Sequence, residues 1–302
     1  MTFTNTTEAH LEHKTDVPYL SFPVLSQFSF IKHGFSTRLG GVSSGVLATM
    51  NFGSDSGPYQ DTPENVMENY RRIADAIGVE VNSMVISKQV HKTNIRRVTR
   101  EDCGKGLLIP RDYDEIDGLI TDQPNITLVT KYADCVPLYF VDPVKKAIGL
   151  THSGWRGTVA GIGRITVEEM KRAFDCKPED ILAVIGPSIC KDCFEIGEDV
   201  AEEFKKAFPN YERETILQTL DTAHPKASHT LSTEIQDLTQ QKKYLCDLWK
   251  ANRQVLLQTG LLSEHIHISG VCTCCNPELL FSHRKTQGKR GSLAAFLALC
   301  DA

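Results

Sequence analysis

The chain has 302 residues, and 33 lysines and arginines against 38 aspartates and glutamates give it a formal charge of −5. Its hydrophobic content of 41% is ordinary for a globular protein and excludes an intrinsically disordered chain. The acidic balance argues against a general nucleic-acid-binding protein, because no basic excess is present to neutralise phosphates.

The N-terminal stretch 1–17 is polar and lacks the apolar core of a signal peptide, and no apolar run is long enough to cross a bilayer. We therefore expect a cytoplasmic protein with no membrane partner. Ten cysteines are more than such a protein needs for packing. Because thiols stay reduced in that compartment, we interpret them first as metal ligands, nucleophiles or core residues.

The first predicted element is a strand at 28–35, which leads into a loop rich in glycine and serine. Asp61 or Thr62 is placed to cap a helix that has Pro63 in its first turn and ends at Gly78. Short apolar runs predict further strands at 84–90, 118–121, 126–130, 136–141, 147–151, 181–185 and 266–271. Apolar residues at helical spacing predict helices at 158–174, 198–208 and 245–257.

Strands that follow one another without regular alternation with helices favour an α+β fold with mixed sheets. The stretch 215–233 is polar and ambiguous, and 293–299 fits either a strand or a helix. We expect a polar N-terminal tail and lead-in at 1–27 and a single domain at 28–302.

Three residues of types that bind zinc lie at ends of predicted strands: His91, Cys135 and His152. Two imidazoles and one thiolate suit Zn²⁺ and leave one position for water or substrate. The same trio could be a cysteine nucleophile with a histidine base, or three unrelated packing residues, and spacing does not decide between these. Asp134 is a candidate for orienting a ligand or for proton transfer, with a strand-terminal cap as the alternative.

A glycine-rich turn follows His152 and leads directly into a predicted helix. Its glycines let the backbone approach a ligand, Arg156 supplies a forked donor, and the helix start attracts anions. Together with Ser153, this predicts a phosphate or carboxylate cradle; an ordinary turn with a surface arginine is the alternative. Further candidates for substrate binding, each also explained as a solvated polar residue, are Arg38, Asn51 and Arg284.

A second group of cysteines contains the C-x-x-C pair Cys190 and Cys193 and the tight cluster Cys272, Cys274 and Cys275. Two such groups can build a structural zinc site. The second group has three candidate sulfurs, however, and its context is not a recognisable zinc knuckle. Thiol packing, or a disulfide under oxidation, is therefore the favoured interpretation.

With these motifs assembled, the chain resembles the multicopper polyphenol oxidoreductase family, also called the laccase-domain or purine nucleoside phosphorylase family. The motifs run in the family's order from about residue 28 to the C-terminus, so the resemblance covers nearly the whole chain. The family commonly has a tyrosine where this chain has His283. The matching segments are HGFSTR (33–38), GGVS (40–43), NFG (51–53), QVH (89–91), DCVP (134–137), HSGWRG (152–157), GPSI (186–189), CFEIG (193–197), CT (272–273) and FSHR (281–284).

The resemblance implies a four-layer α/β/β/α sandwich of mixed sheets, similar to a cysteine-hydrolase-like fold. It maps the ligands of one catalytic Zn²⁺ onto His91, Cys135 and His152. It also implies phosphorolysis of adenosine, inosine or methylthioadenosine, with deamination of adenosine as a further activity. The expected partners are therefore a purine nucleoside and inorganic phosphate, and a homodimer is one option for the assembly.

Three other functions stay open. Older names in the family imply a copper-dependent polyphenol oxidase, a laccase. A multicopper oxidase needs several paired histidines, whereas His265-Ile266-His267 is the only H-x-H sequence among the 10 histidines of this chain. Other family assignments imply a peptidoglycan-editing hydrolase, and a non-catalytic zinc-binding module is the last alternative.

Overall fold

The computed structural model describes residues 4–13, 15–53, 59–209, 216–220 and 242–301. No helix in these ranges is long and apolar enough to cross a membrane. The strands are β1 (His10–Glu12), β2 (Tyr19–Ser21), β3 (Ile31–Ser36), β4 (Met84–Ile86), β5 (Ile95–Arg97), β6 (Gly118–Thr121), β7 (Ile126–Tyr132), β8 (Val136–Asp142), β9 (Ala147–Ser153), β10 (Leu182–Ile185), β11 (Glu195–Gly197), β12 (Leu217–Leu220), β13 (Lys243–Cys246), β14 (Ile266–Ile268) and β15 (Leu293–Leu299). The helices are α1 (Pro23–Ser26), α2 (Pro63–Ile77), α3 (Trp155–Val159), α4 (Ile162–Phe174), α5 (Glu198–Ala207), α6 (Leu248–Gln258) and α7 (His283–Thr286).

The strands form two six-stranded sheets and one small sheet. The first sheet has the order β1-β2-β3-β15-β7-β4, and the second has the order β14-β10-β8-β9-β6-β5. Both are mixed, because β4 runs parallel to β7 in the first sheet, and β10 with β14 and β5 with β6 are parallel pairs in the second. The order of the small sheet is β11-β13-β12. The prediction of an α+β fold with mixed sheets is confirmed.

Helices cover the outer faces of the two large sheets. Residues of both sheets, such as Leu297 and Leu150, share the central core cluster. On the outer side of the first sheet, Tyr70 of α2 meets Phe296 at 6.4 Å between ring centroids. On the outer side of the second sheet, α4 and α6 pack in one cluster with side chains such as Phe140. The layers are therefore helix, sheet, sheet and helix, as the resemblance implies. The central strands are buried on both faces, which explains why they appear in the sequence as continuous apolar runs.

Helix α2 begins and ends as the sequence predicts. The side chain of Thr62 accepts a hydrogen bond from the Asn65 N–H at 3.2 Å, and Pro63 is the first helical residue. Gly78 ends the helix with a φ of 80°, a left-handed conformation that glycine adopts without strain.

Replacing Thr62 with alanine should lower the free energy of unfolding by about 1 kcal/mol, because an N–H group of the first turn loses its acceptor. Thr62→Ser retains the hydroxyl and should stay close to wild type. Urea unfolding followed by circular dichroism measures both variants. Equal stability of the alanine and serine variants would show that this cap contributes nothing.

Some predicted boundaries differ from the structure. The helix predicted at 158–174 is divided into α3 and α4, because Gly161 adopts a φ of 72° between them. The strand predicted at 84–90 ends at Ile86. The ambiguous stretch 293–299 is the strand β15, which pairs with both β3 and β7. Of the polar stretch 215–233, residues 217–220 form β12, and 221–233 lie outside the described residues.

The N-terminal range 1–27 contributes two strands to the first sheet. Leu11 of β1 pairs with Leu20 of β2, and Leu20 pairs with Phe35 of β3. Leu20 is fully buried in the central core. The sequence suggested a tail here because residues 1–17 are mostly polar or charged.

Candidate metal centre and its cavity

Cys135 and His152 come together because two neighbouring strands of the second sheet start and end at the same edge. Val136, the first residue of β8, pairs with Ser153, the last residue of β9. His91 reaches this edge from the loop between β4 and β5. Ligand atoms of the three residues lie within 4.8 Å of one another, and His91 Nε2 is 3.8 Å from Cys135 Sγ. The structure therefore brings the predicted trio together.

A buried carboxylate that the sequence analysis missed, Asp117, holds both histidines. Its Oδ1 lies 2.9 Å from His152 Nδ1 and accepts the His91 N–H at 2.9 Å. Its Oδ2 accepts the N–H groups of Val90 and Lys92 at 3.0 and 3.1 Å. These bonds stabilise the left-handed backbone of His91, whose φ is 64°. In the sequence, Asp117 looks like a turn residue because it stands before a glycine. The one feature that could have indicated a function is its position directly before β6.

The charges in the trio favour a thiolate beside an imidazolium. Although burial alone would raise the pKa of Cys135, the neighbouring His152 and His91 lower it to about 6. Burial alone would lower the pKa of His152, but Cys135 and Asp117 raise it to about 9. Burial likewise opposes ionisation of Asp117, and its hydrogen bonds with His152 and the loop N–H groups lower its pKa overall.

This donor set fits zinc. Zn²⁺ is held by thiolate sulfur and by neutral imidazole nitrogen, and three protein ligands are typical of catalytic sites. The Asp117–His152 hydrogen bond occupies Nδ1, so Nε2 is the ring nitrogen left for a metal, as in carboxylate–histidine–zinc arrangements. The ring centroids of His91 and His152 are 4.8 Å apart, close enough for both to reach one ion.

Gly154 leaves the space in which the trio assembles. A Cβ at this position would lie 2.8 Å from His91 Cδ2 and 3.3 Å from Cys135 Sγ. Gly154 has a φ of −70°, which any residue adopts, so the requirement for glycine is steric and arises from two of the ligands.

Gly154→Ala should therefore fold and bind zinc about tenfold more weakly, because His91 is displaced while the backbone is unstrained. Changes to the groups that orient metal ligands cost ~10–100-fold in metal affinity. Gly157→Ala is the matched control, since its Cβ would meet Ile162 and the His152 carbonyl at 3.3 Å or more, away from the ligand atoms. Competition with a chromophoric chelator measures both affinities. Equal affinities would contradict the steric argument.

The trio lies in the wall of a cavity of about 510 Å³, a volume typical of small-molecule sites. Apolar side chains, including Trp155 and Phe194, form part of its lining. Asp134 is the acidic residue of the lining, which otherwise carries a basic excess. The basic residues are Lys88, Lys131, Arg284 and Arg290.

Arg290 is the second functional candidate that the sequence analysis missed. One guanidinium nitrogen donates to the Gly291 carbonyl at 3.2 Å and to Ser292 Oγ at 3.1 Å. Its Nε is buried without an acceptor among the described residues. A basic residue next to Lys289 and between glycines looks solvated, but its place just before β15 brings it to the cavity.

Asp134 and Arg284 line the cavity, as expected of site residues, and each is also engaged in local structure. The carboxylate of Asp134 accepts Thr273 Oγ1 and the Arg284 backbone N–H, both at 2.6 Å. The Arg284 guanidinium donates to the Glu195 carbonyl at 2.9 Å and lies over the Phe194 ring at 5.5 Å. Asp134 thus positions the segment that carries Arg284.

Arg38 and Asn51 are not among the residues that line the cavity. Arg38 donates to the carbonyls of Ala48 and Pro277, at 3.0 and 2.9 Å in its shortest bonds. Asn51 is buried, and its Oδ1 accepts the Ser292 N–H at 2.8 Å. Both side chains hold loops together, and substrate binding by either of them stays a prediction.

Ser153 and Arg156 are also absent from the lining, although Trp155 of the same turn is part of it. Ser153 is buried, and its hydroxyl donates to Asn252 Oδ1 at 2.8 Å. Arg156 is exposed and lies over the Trp155 ring at 4.3 Å. The turn enters a helix of five residues. The guanidinium groups in the lining are instead those of Arg284 and Arg290.

Comparisons with known proteins agree with this architecture. The purine nucleoside phosphorylase YlmD of Bacillus subtilis (strain 168) is 35% identical over 273 residues, which cover 89% of this chain and 88% of that protein. The crystal structure of YlmD from Geobacillus stearothermophilus superposes with a TM-score of 0.80 at 31% identity, covering 96% of this chain and 99% of that one. The crystal structure of the Bacillus licheniformis hypothetical protein YfiH gives 0.82 at 30% identity, covering 96% and 98%. The sequence profile of the family described as "Multi-copper polyphenol oxidoreductase laccase" matches residues 32–300, and the chain belongs to this family.

Proposed function

We propose that the protein is a zinc-dependent purine nucleoside phosphorylase whose metal ligands are His91, Cys135 and His152. The observation that carries the proposal is the position of this trio in the wall of a cavity whose lining is rich in basic side chains. Basic groups beside a metal suit an anionic co-substrate such as phosphate. The purine nucleoside phosphorylase names of the relatives support the same reaction.

In phosphorolysis, a phosphate oxygen attacks the anomeric carbon of the ribose while the bond to the purine nitrogen breaks. Zn²⁺ bound at the trio would supply a Lewis acid and, from bound water, a hydroxide near neutral pH. Arg290, which lines the cavity, would hold the phosphate through its guanidinium group, and Lys131 would add positive charge from the same lining. The purine nitrogen takes up the proton that the attacking phosphate gives up. The products are the free purine and ribose 1-phosphate, or 5-methylthioribose 1-phosphate when methylthioadenosine is the substrate.

The apolar part of the lining suits the purine. Trp155 and Phe194 present aromatic surface, on which a planar base can stack, and Ile189 lies between them in sequence. Asp134 fixes the Arg284 segment through its two hydrogen bonds, so we assign it a positioning function rather than direct proton transfer.

Deamination of adenosine is a second activity that the same centre supports. Water would add to the purine ring at the carbon that carries the amino group, and ammonia would leave. The trio provides the donor set of a catalytic zinc site, and the two reactions differ in whether phosphate or water is the nucleophile. We infer that the phosphate concentration decides between them.

The laccase alternative has less support. Within the described residues, two groups of side chains are arranged to hold a metal, and only the trio contains histidine. His267, from the H-x-H sequence, has its Nδ1 3.0 Å from Glu8 Oε2. A copper ion at the trio would lack the additional histidine-bound coppers that a multicopper oxidase requires.

The test is chromatography of reaction mixtures that contain metal-quantified protein with adenosine, inosine or methylthioadenosine, each with and without phosphate. Wild type should release the purine base only with phosphate, and it should convert adenosine to inosine without it. Cys135→Ala is the control that removes a ligand. Wild-type protein that binds zinc and consumes none of the three nucleosides would overturn the proposal and leave a peptidoglycan-editing hydrolase or a non-catalytic zinc module. Oxygen uptake with a phenol, before and after copper loading, tests the laccase alternative.

A further inference from the structure

Four cysteines outside the candidate active site converge on one point. The Sγ atoms of Cys190, Cys193, Cys272 and Cys275 all lie within 4.8 Å of one another. Cys275 Sγ is 3.5 Å from Cys193 Sγ and 3.9 Å from Cys190 Sγ. All four are free thiols.

The backbone brings the two pairs together by pairing two distant segments. Ser188 forms a parallel bridge with Cys272, so the segment before Cys190 lies beside the segment that starts the second pair. Cys272 Sγ then accepts the N–H groups of Cys190 at 3.3 Å and of Cys275 at 3.4 Å. Backbone N–H groups directed at a sulfur stabilise it as a thiolate, which is the form that binds metals. Because Cys274 lies inside this C-x-x-C, the spacing of the second pair was hidden in the sequence.

The sulfur positions match one tetrahedral ion better than a disulfide. Four thiolates at zinc–sulfur distances of ~2.3 Å occupy the corners of a tetrahedron with edges of ~3.8 Å. The Cys193–Cys275 separation of 3.5 Å and the Cys190–Cys275 separation of 3.9 Å fall on either side of that edge length. A disulfide needs ~2.05 Å between two sulfurs and gives no reason for two further thiols to converge. Four thiolates in tetrahedral geometry are typical of zinc.

We propose that Cys190, Cys193, Cys272 and Cys275 hold a second Zn²⁺ in a structural site. The ion would join the segment that precedes the cavity-lining Phe194 to a neighbouring segment that supports the cavity from outside. Phe194, which follows the first pair, lines the cavity, and Thr273, within the second pair, donates to Asp134 next to the ligand Cys135. The second ion thus holds the wall in place without contacting the substrate. This inference does not rest on the nucleoside chemistry proposed above.

The test is zinc and iron content by mass spectrometry, measured on full-length protein after dialysis against metal-free buffer. Wild type should carry two zinc ions per chain, and Cys135→Ala should retain one. The double variant Cys193→Ser, Cys275→Ser should also retain one, at the trio. Cys300→Ser, which replaces a half-buried cysteine outside both groups, is the matched control and should retain two. These stoichiometries are independent of activity, so an inactive enzyme does not affect the result.

A second measurement tests the proposal even if the double variant fails to fold. Cobalt-loaded Cys135→Ala protein should show the intense thiolate-to-cobalt charge-transfer absorption of a site with several sulfur ligands. Cys135→Ala protein that carries no metal, that carries iron in place of zinc, or that contains a disulfide among the four cysteines would overturn the proposal.

Discussion

Asp117→Asn should weaken zinc binding at the trio by about 10–100-fold, the cost observed when the outer partner of a metal-bound histidine is lost. The carboxylate orients His152 through Nδ1 and fixes the loop of His91 through the backbone N–H groups of 90–92. An asparagine would keep one acceptor oxygen. Its NH₂ group would replace the other oxygen and face N–H donors that need an acceptor. Both histidines would therefore lose their orientation, and kcat/KM for phosphorolysis should fall at least as far as the affinity for zinc.

Asp102→Asn separates damage to the site from damage to the fold. Asp102 is also buried, and it accepts hydrogen bonds from Arg96, Lys105 and the Thr99 N–H, away from the cavity. Its substitution should lower the unfolding temperature and leave the affinity for zinc unchanged. The measurements are chelator competition, thermal unfolding and steady-state kinetics. An Asp117→Asn protein with wild-type affinity for zinc would show that the carboxylate does not support the metal site.

Much of the fold is predictable because the central strands of the two large sheets are buried on both faces. Such strands are continuous apolar runs, as 118–121 and 136–141 show, and their positions agree with the structure to within a residue. The N-terminal strands were missed because each is only three residues long and depends on pairing with a neighbour. The 158–174 helix was predicted as one piece because the sequence does not show that Gly161, which lies inside an apolar pattern, adopts a left-handed conformation.

Site residues could be predicted where the residue type itself indicates a function. They could not be predicted where the function depends only on the surroundings of the residue in the fold. Cysteine and histidine at strand ends marked the metal trio, which the structure assembles. The arginine that we propose for phosphate binding depends instead on which side of the fold each arginine reaches. A glycine-rich turn with Arg156 fits the general pattern of an anion site, yet that side chain is exposed on the Trp155 ring. Arg290 has no local motif, and the pairing of β15 in the sheet places it.

Arg290→Met should raise the KM for phosphate by about 100-fold or more. A hydrogen bond between a charged donor and a charged acceptor contributes about 1.5–3 kcal/mol, so the loss of a bidentate contact exceeds about 3 kcal/mol. Each 1.4 kcal/mol is about tenfold in binding, which gives the factor of about 100. Methionine fills a similar volume without charge or donors. Because water replaces phosphate in deamination, conversion of adenosine to inosine should change far less than phosphorolysis.

Arg156→Met is the matched control, because the sequence alone favours Arg156 as the phosphate ligand and the structure favours Arg290. Steady-state kinetics with phosphate as the varied substrate should find wild-type KM for Arg156→Met and the large increase only for Arg290→Met. The reverse result would return the phosphate site to the turn at 153–158. An increase confined to Arg290→Met would mean that the phosphate contacts the guanidinium whose Nε is left without an acceptor among the described residues. Arg290 precedes β15, so the phosphate would then be recognised from the first sheet. Cys135 and His152, two of the three proposed metal ligands, lie at strands of the second sheet.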